Sequence, residues 1–432
     1  MRATASPAVA VISVHASPLA PLGRGENGGM NLAIRRICEG LAAQGHPTDV
    51  FVRREDRTSP DEELIAPSSR LVRLRVGPPA PVAKGDVRAM CDEFADAVLR
   101  HAESEERRYR VMHAHYWLGG LVAQHLREHW GTPWVQSFHT LARTKARAGL
   151  PLDAVRARAE TELIIAADRL VASSFSEAKD LIRLYGAERD RICVAQPGVD
   201  QRLIVEADPE RARHRLHLEE RRVVLFCGRL EPLKGGDTLI DAIAALTRDP
   251  AFDDVTVLVI GEDSGDGRDG GGERARLQER VHGSGVADRV MFLGAVPHDE
   301  VGDYYALADV CVVPSRTESF GLVALEAQSL GTPVVAAAVG GLTEIVEDGV
   351  TGVLVQDRDP VHYADAIGSM LNDPGCRARM GAAARARATR YTWSRAVDRL
   401  LAIYERLTDA GRPAASPCGY PDDEVAALRS AS

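Results

Sequence analysis

The sequence predicts an α/β protein built from two Rossmann-like, doubly wound domains facing a central cleft. Three observations carry this. Short apolar runs alternate with amphipathic helical windows, as βαβ units and a parallel sheet require. The pattern restarts once, near residue 223. The 432 residues also exceed what one hydrophobic core ordinarily organises.

The first element is VAVISV (9–14), a buried strand. Met30 to Gln44 follows as a helix, with Leu32, Ile34, Ile37 and Leu41 on one face. Further strands are predicted at 48–52, 111–115, 134–138, 169–173 and 192–196. The second series comprises VVLFCG (223–228), TVLVIG (256–261), VMFLG (290–294), DVCVVP (309–314), TPVVAAA (332–338) and TGVLV (351–355). Residues 1–198 therefore form a first domain and 221–390 a second, with the Arg-rich stretch 199–220 as a linker. A last helix within 391–410 crosses back to the first domain. The Gly/Asp-rich segment Glu262–Glu273 has no core residues and reads as a mobile loop. The Pro/Ser/Ala-rich tail 411–432 reads as disordered.

Composition narrows the function. A hydrophobic content of 45% and a charged content of 27% are those of a globular protein. A net charge of −9 argues against a nucleic-acid partner. No run of 18 apolar residues and no signal-peptide layout occur, so neither a membrane partner nor export is expected, and the cytoplasm is the expected location. The seven cysteines form no C-x-x-C pair, which suggests neither a disulfide framework nor a metal site; Cys193, Cys227 and Cys311 read as reduced core residues.

Three clusters follow strands of the second half, where ligands of open α/β sheets bind. In Gly228-Arg229-Leu230-Glu231-Pro232-Leu233-Lys234-Gly235-Gly236, Arg229 offers a fork and Lys234 a point charge to a diphosphate. In Glu318-Ser319-Phe320-Gly321-Leu322 and onward to Glu326, seven residues separate two acids. Gly321 can start a helix whose amides suit an anion, and Glu326 sits in an apolar helix where an unpaired carboxylate is costly. Val339-Gly340-Gly341-Leu342 offers a further amide-rich helix start.

The first half supplies a matching set. Ser13-Val14-His15 leaves the first strand, and Gly28-Gly29-Met30-Asn31 opens its helix, the two glycines suiting a tight loop under a phosphate. His113-Ala114-His115-Tyr116 ends one strand, and Ser137-Phe138-His139-Thr140 ends another.

Gly-Arg-Leu-x-Pro-x-Lys-Gly, Pro-Ser-x-x-Glu-Ser-Phe-Gly-Leu-Val-x-x-Glu-Ala and Gly-Thr-Pro-Val-Val-Ala-x-x-x-Gly-Gly-Leu together resemble the retaining GT-B glycosyltransferases of family 4, over residues 9 to about 407. The resemblance implies that Arg229 and Lys234 hold the donor diphosphate, with Gly28, Gly29, Ser319, Phe320, Gly321 and Leu322 around the donor. It implies Glu326 on the ribose and Glu318 on the transferred sugar. SVHASPL, GGMN, HAHYWLGG and FHTLARTK look most like the mycothiol-pathway branch, which moves N-acetylglucosamine from UDP to an inositol 3-phosphate. Lys84, Tyr116, Thr140 and Arg156 would then hold the acceptor phosphate, with His15 and Asn31 beside the acceptor and His139 near the reacting groups. His139, Arg229, Lys234 and Glu318 are the expected catalytic set.

The expected reaction keeps the anomeric configuration. Arg229 and Lys234 stabilise the leaving diphosphate, and a phosphate oxygen takes the acceptor proton. The partners are a nucleotide-sugar and a small acceptor, with room for a homodimer. No cofactor is required and no metal ligand set is seen, although a loosely bound Mg²⁺ is compatible. Departures from the family pattern, such as Gly261-Glu262 where Gly-Gly is usual, leave open a natural-product enzyme with a GDP-sugar donor and a thiol, aminocyclitol or antibiotic precursor as acceptor. A sugar-nucleotide epimerase would need no acceptor pocket, and a non-catalytic sensor would need no catalytic set.

Overall fold

The computed structural model describes residues 8–23, 27–263 and 272–408. The expected loop 262–273 and tail 411–432 fall largely or wholly outside them. The chain divides into two compact units. The first holds the residues up to Ala20, Met30–Gln196 and those from Trp393 on; the second holds Pro21–Gly29 and Pro197–Thr392.

The first unit is built on eight strands: β1 (Ala8–Ile12), β2 (Thr48–Arg53), β3 (Glu62–Ala66), β4 (Ser69–Leu74), β5 (Tyr109–His115), β6 (Trp134–Ser137), β7 (Arg169–Ala172) and β8 (Ile192–Val194). Their order is β3-β4-β2-β1-β5-β6-β7-β8. All pairs are parallel except β3 with β4. β1 is buried on both faces, which is why its sequence is a continuous apolar run. Its alternate residues serve different layers. Val9 and Val11 join Ile34, Ile37 and Leu41 of the helix Gly29–Ala43, together with Val397, Leu400 and Tyr404 of the helix Trp393–Thr408. Ala10 and Ile12 join Phe94, Val98, Leu118 and Leu126 on the other side.

The second unit carries β9 (Arg222–Cys227), β10 (Val255–Ile260), β11 (Val290–Gly294), β12 (Val310–Val313), β13 (Val334–Ala337) and β14 (Gly352–Val355). The order is β11-β10-β9-β12-β13-β14, all parallel. Strand order reverses between β9 and β12, as it does between β1 and β5 in the first unit. Such a reversal opens a crevice beyond the carboxyl ends of the strands.

Three features depart from the sequence reading. The hairpin β3–β4 is an addition to the sequence reading: β3 is short and exposed along most of its length, and Arg70 and Arg73 interrupt the apolar residues of β4. The stretch expected to be a linker is part of the second unit. It folds as the helices Gln201–Val205 and Pro209–Leu216, whose Leu203 and Ala212 enter the core. Buried Asp303 anchors it, accepting from the Asp208 amide at 2.7 Å and from Arg211 Nη2 at 2.7 Å. Cys193, read as a reduced core thiol, is disulfide-bonded, whereas Cys227 and Cys311 are free. Among the described residues no helix is long and apolar enough to cross a membrane.

Candidate functional site

In the second unit the three sequence clusters meet at the carboxyl ends of β9, β12 and β13. The chain leaves β9 through Gly228 and Arg229 and makes one tight turn over Pro232–Lys234. Gly235 closes that turn in the left-handed region (φ 71°), and a Cβ there would stand 2.0 Å from the Pro314 carbonyl oxygen. Only glycine permits both the dihedral and the approach. The turn brings Lys234 Nζ to Glu318 Oε2, an ion pair of 2.7 Å joining the first two clusters. Arg229 Nη2 lies 3.2 Å from Glu231 Oε1.

The third cluster supports the second. A Cβ at Gly340 would lie 1.9 Å from the Glu318 carbonyl oxygen, which also accepts from the Gly341 amide at 2.9 Å. Gly340-Gly341 therefore seats the backbone of Glu318, and the Gly341 amide expected to face an anion is engaged within the protein.

Gly321 leads into the helix Leu322–Ser329, which buries Glu326. Tyr305 Oη donates to Glu326 Oε2 at 2.9 Å. Burial pushes the Glu326 carboxyl up to about 7, against the lowering effect of the Tyr305 hydrogen bond. Phe320 is buried and Ser319 half-buried. Gly28 and Gly29 fall here too. A Cβ on Gly28 would lie 3.4 Å from Arg229 Nε, and one on Gly29 would lie 3.0 Å from Leu322 Cδ1. All the residues read as donor-binding thus belong to one unit.

The first unit gathers most of the remaining set at the ends of β5 and β6. Tyr116 and His139 follow these strands with φ of 65° and 61°. Left-handed backbone at bulky residues stores strain of about 1–3 kcal/mol and concentrates at functional sites. Arg156 Nη1 donates to Tyr116 Oη at 2.9 Å, its guanidinium lies 4.6 Å from the centre of the Tyr116 ring, and its Nη2 donates to Thr140 Oγ1 at 3.0 Å. Glu160 holds Arg156 from behind at 2.6 Å. His15 lies with its ring 4.8 Å from that of Tyr116. Asn31 Nδ2 donates to the Ser17 carbonyl at 2.8 Å and so pins the segment after β1. His139 Nε2 is 2.9 Å from His115 Nδ1. Burial lowers the His139 ring to about 4, so it is neutral at neutral pH. Lys84 opens the helix Lys84–Val87, and its side chain lies outside the described residues.

Two residues escaped the sequence reading. Tyr305, in a short apolar helix, carries no mark that separates it from core. Glu160 stands four residues after Arg156, a helical ion-pair spacing that could have exposed it.

Residues 28–198 match the family described as glycosyl transferase 4-like domain, and residues 208–387 that described as glycosyl transferases group 1. The chain is a family 4-type glycosyltransferase. A D-inositol 3-phosphate glycosyltransferase of Acidothermus cellulolyticus is 43% identical to this glycosyltransferase, with 95% of this chain and 94% of that one covered. The protein of the same name from Xylanimonas cellulosilytica is 40% identical, with 96% and 100% covered. Among solved structures, a sucrose-phosphate synthase from Thermosynechococcus elongatus superposes with a TM-score of 0.87 at 32% identity, covering 94% of this chain and all of that one. Anabaena HepE in complex with UDP and glucose superposes with a TM-score of 0.73 at 21% identity, covering 94% and 100%, and supports the fold alone. The glycosyltransferase has the GT-B fold. Its two Rossmann-like units each present their polar clusters at the carboxyl ends of parallel strands.

Proposed function

We propose that this glycosyltransferase transfers N-acetylglucosamine from UDP to 1D-myo-inositol 3-phosphate with retention of anomeric configuration. The observation that carries the donor half is the grouping of Arg229, Lys234, Glu318 and Glu326 in the second unit. Arg229 and Lys234 supply fixed positive charge for a leaving diphosphate. Glu318 accepts from sugar hydroxyls, and Glu326 from the ribose diol. The acceptor half rests on Tyr116 and Thr140, each accepting from Arg156, a polar cluster suited to a phosphate. The names of the relatives at 40–43% identity support that acceptor.

With both cations in place, the diphosphate departs and one of its oxygens takes the proton of the attacking hydroxyl on the same face. The new glycosidic bond forms as the anomeric C–O bond to phosphate breaks, and nucleoside diphosphate leaves with that proton. Removing one such donor usually lowers turnover about 10²–10³-fold. Lys234→Ala should therefore lose that much kcat and remain folded; near-normal turnover would remove its role on the leaving group. The two cations do the charge work of a metal, so turnover should persist in excess chelator, and its abolition would require Mg²⁺ instead.

A GDP-sugar donor for a natural-product acceptor is the second reading. Glu262 favours it: its Oε1 lies 3.8 Å from where a Cβ on Gly294 would stand, at the ends of β10 and β11. A carboxylate accepts from guanine N1–H and N2–H together. A mass-detected screen pairing UDP- and GDP-sugars with inositol 3-phosphate, aminocyclitols and small thiols decides between the readings. NMR of the product's anomeric proton tests retention.

A further inference from the structure

After β6 the chain passes through Phe138, His139, Thr140 and Leu141 into the helix Ala142–Arg147. The first amides of a helix need outside acceptors, and Leu141, at the N-cap position, has no side-chain acceptor to offer. Two residues further along the chain supply them. Glu160, in the helix Ala154–Ala166, accepts from the Ala142 amide at 3.0 Å. The Tyr185 hydroxyl, at the end of the helix Phe175–Tyr185, accepts from the Arg143 amide at 3.0 Å and donates to Glu160 Oε2. Burial, and then the Glu160 charge, push this hydroxyl above its ordinary range, so it remains a donor at neutral pH. The Arg143 guanidinium lies 4.7 Å from the centre of the Tyr185 ring and donates to the Leu184 carbonyl.

Glu160 is fully buried, where an uncompensated carboxylate is costly. It takes three donors: the Ala142 amide, Tyr185 Oη and Arg156 Nε, the last at 2.6 Å. With Nε held, the planar guanidinium of Arg156 aims Nη1 at Tyr116 Oη and Nη2 at both the carbonyl and the hydroxyl of Thr140. One carboxylate thus sets the direction of Arg156 and the start of the helix that follows Thr140. Buried ion pairs commonly stabilise no better than apolar packing of the same volume, so stability alone is a weak reason for this one.

We infer that Tyr185 is a positioning residue for the acceptor: through Glu160 it holds Arg156 and Thr140 in the arrangement that meets a phosphate. The inference rests on the reading of Tyr116, Thr140 and Arg156 as the acceptor-phosphate cluster. Without the hydroxyl, Glu160 loses one of its three donors and the Arg143 amide loses its acceptor, so both sides of the Arg156–Thr140 contact can shift. All these groups belong to the first unit and the residues read as donor-binding to the second, so the acceptor alone should register the loss.

Steady-state kinetics of the full chain with UDP-N-acetylglucosamine and 1D-myo-inositol 3-phosphate test this. Tyr185→Phe keeps the ring and should raise the acceptor KM about tenfold, the worth of one hydrogen bond to a charged group, with the donor KM within about twofold. An unchanged acceptor KM, or an equal rise in both KM values, overturns the inference. Made on top of Arg156→Ala, the same substitution should add nothing further to the acceptor KM, because the group it acts through is gone; full additivity overturns the inference as well. Should Tyr185→Phe not fold, Glu160→Gln keeps the shape, removes the charge that holds Nε and is read by the same split. If Arg156→Ala alone leaves the acceptor KM unchanged, or the parent chain does not turn over inositol 3-phosphate, the acceptor reading falls and this inference with it.

Discussion

At Glu326 burial raises the carboxyl from 4.5 to about 7, so the folded state resists its ionisation. A group with a raised folded value stabilises below its unfolded value and loses that contribution as pH rises through the folded one. The penalty above pH 7 is about 3 kcal/mol as an upper figure, from 1.36 kcal/mol per unit. Glu326→Gln should therefore raise stability in urea at pH 8 more than at pH 5, while weakening UDP binding at both. Equal effects at the two pH values would contradict the burial argument. His113 and His139 run the other way, with folded values of about 3 and about 4 against 6.5 unfolded. Their contribution is full above pH 6.5 and is lost as pH falls towards those values, at about 1.4 kcal/mol per unit for each. Unfolding midpoints followed from pH 7 to 4 should fall with that slope, less steeply in His113→Phe. The burial of Glu326 was legible in the sequence because VALEAQSLG is an apolar helix in which an unpaired carboxylate is costly. Its partner Tyr305 was not, since a hydroxyl on a ring that otherwise packs as core shows its use only in three dimensions.

At the scale of elements, the turns after the strands carry the site. Gly235 and Gly186 share nearly the same φ, 71° and 70°, but only Gly235 has backbone within reach of a Cβ. Gly186→Ala should destabilise by about 1–2 kcal/mol, the left-handed penalty alone. Gly235→Ala adds a collision with Pro314 and should also displace Lys234, so activity should fall further than stability. Thermal melts and kcat measured together check the pair; matching losses in both variants would show that the contact relaxes freely. The strands themselves were readable because those buried on both faces appear as apolar runs, unbroken at β1 and nearly so as VVLFC in β9 and VLVI in β10. The helices at 201–216 were not, because Leu203 and Ala212 are sparse among arginines and their anchor, Asp303, lies about ninety residues on.

For the whole molecule, the order of the chain and the order of the structure differ. The helix Trp393–Thr408 belongs to the first unit and inserts Val397, Leu400, Leu401, Ile403 and Tyr404 beside β1. Burying five such side chains contributes roughly 7–15 kcal/mol, comparable to the entire stability of a domain. A chain ending at residue 392 should keep a cooperative unfolding transition for the second unit and lose that of the first, as hydrogen exchange would report by unit. Protection of β1 amides in that truncated chain would refute this. The two-sheet architecture was visible in the restart of the pattern at 223, whereas the partner that the His113 ring finds in Tyr404, 291 positions away, is a long-range event no local pattern encodes.

That distance has a consequence for biosynthesis. While the polypeptide emerges from the ribosome, the second sheet has all its strands before the first can close its outer layer. The half translated earliest must wait, with Val9 and Val11 covered only by the helix Gly29–Ala43, until the helix Trp393–Thr408 has been made. Slow translation or a stalled nascent chain should therefore expose the amino-terminal half to chaperones and proteases first, although it was made first.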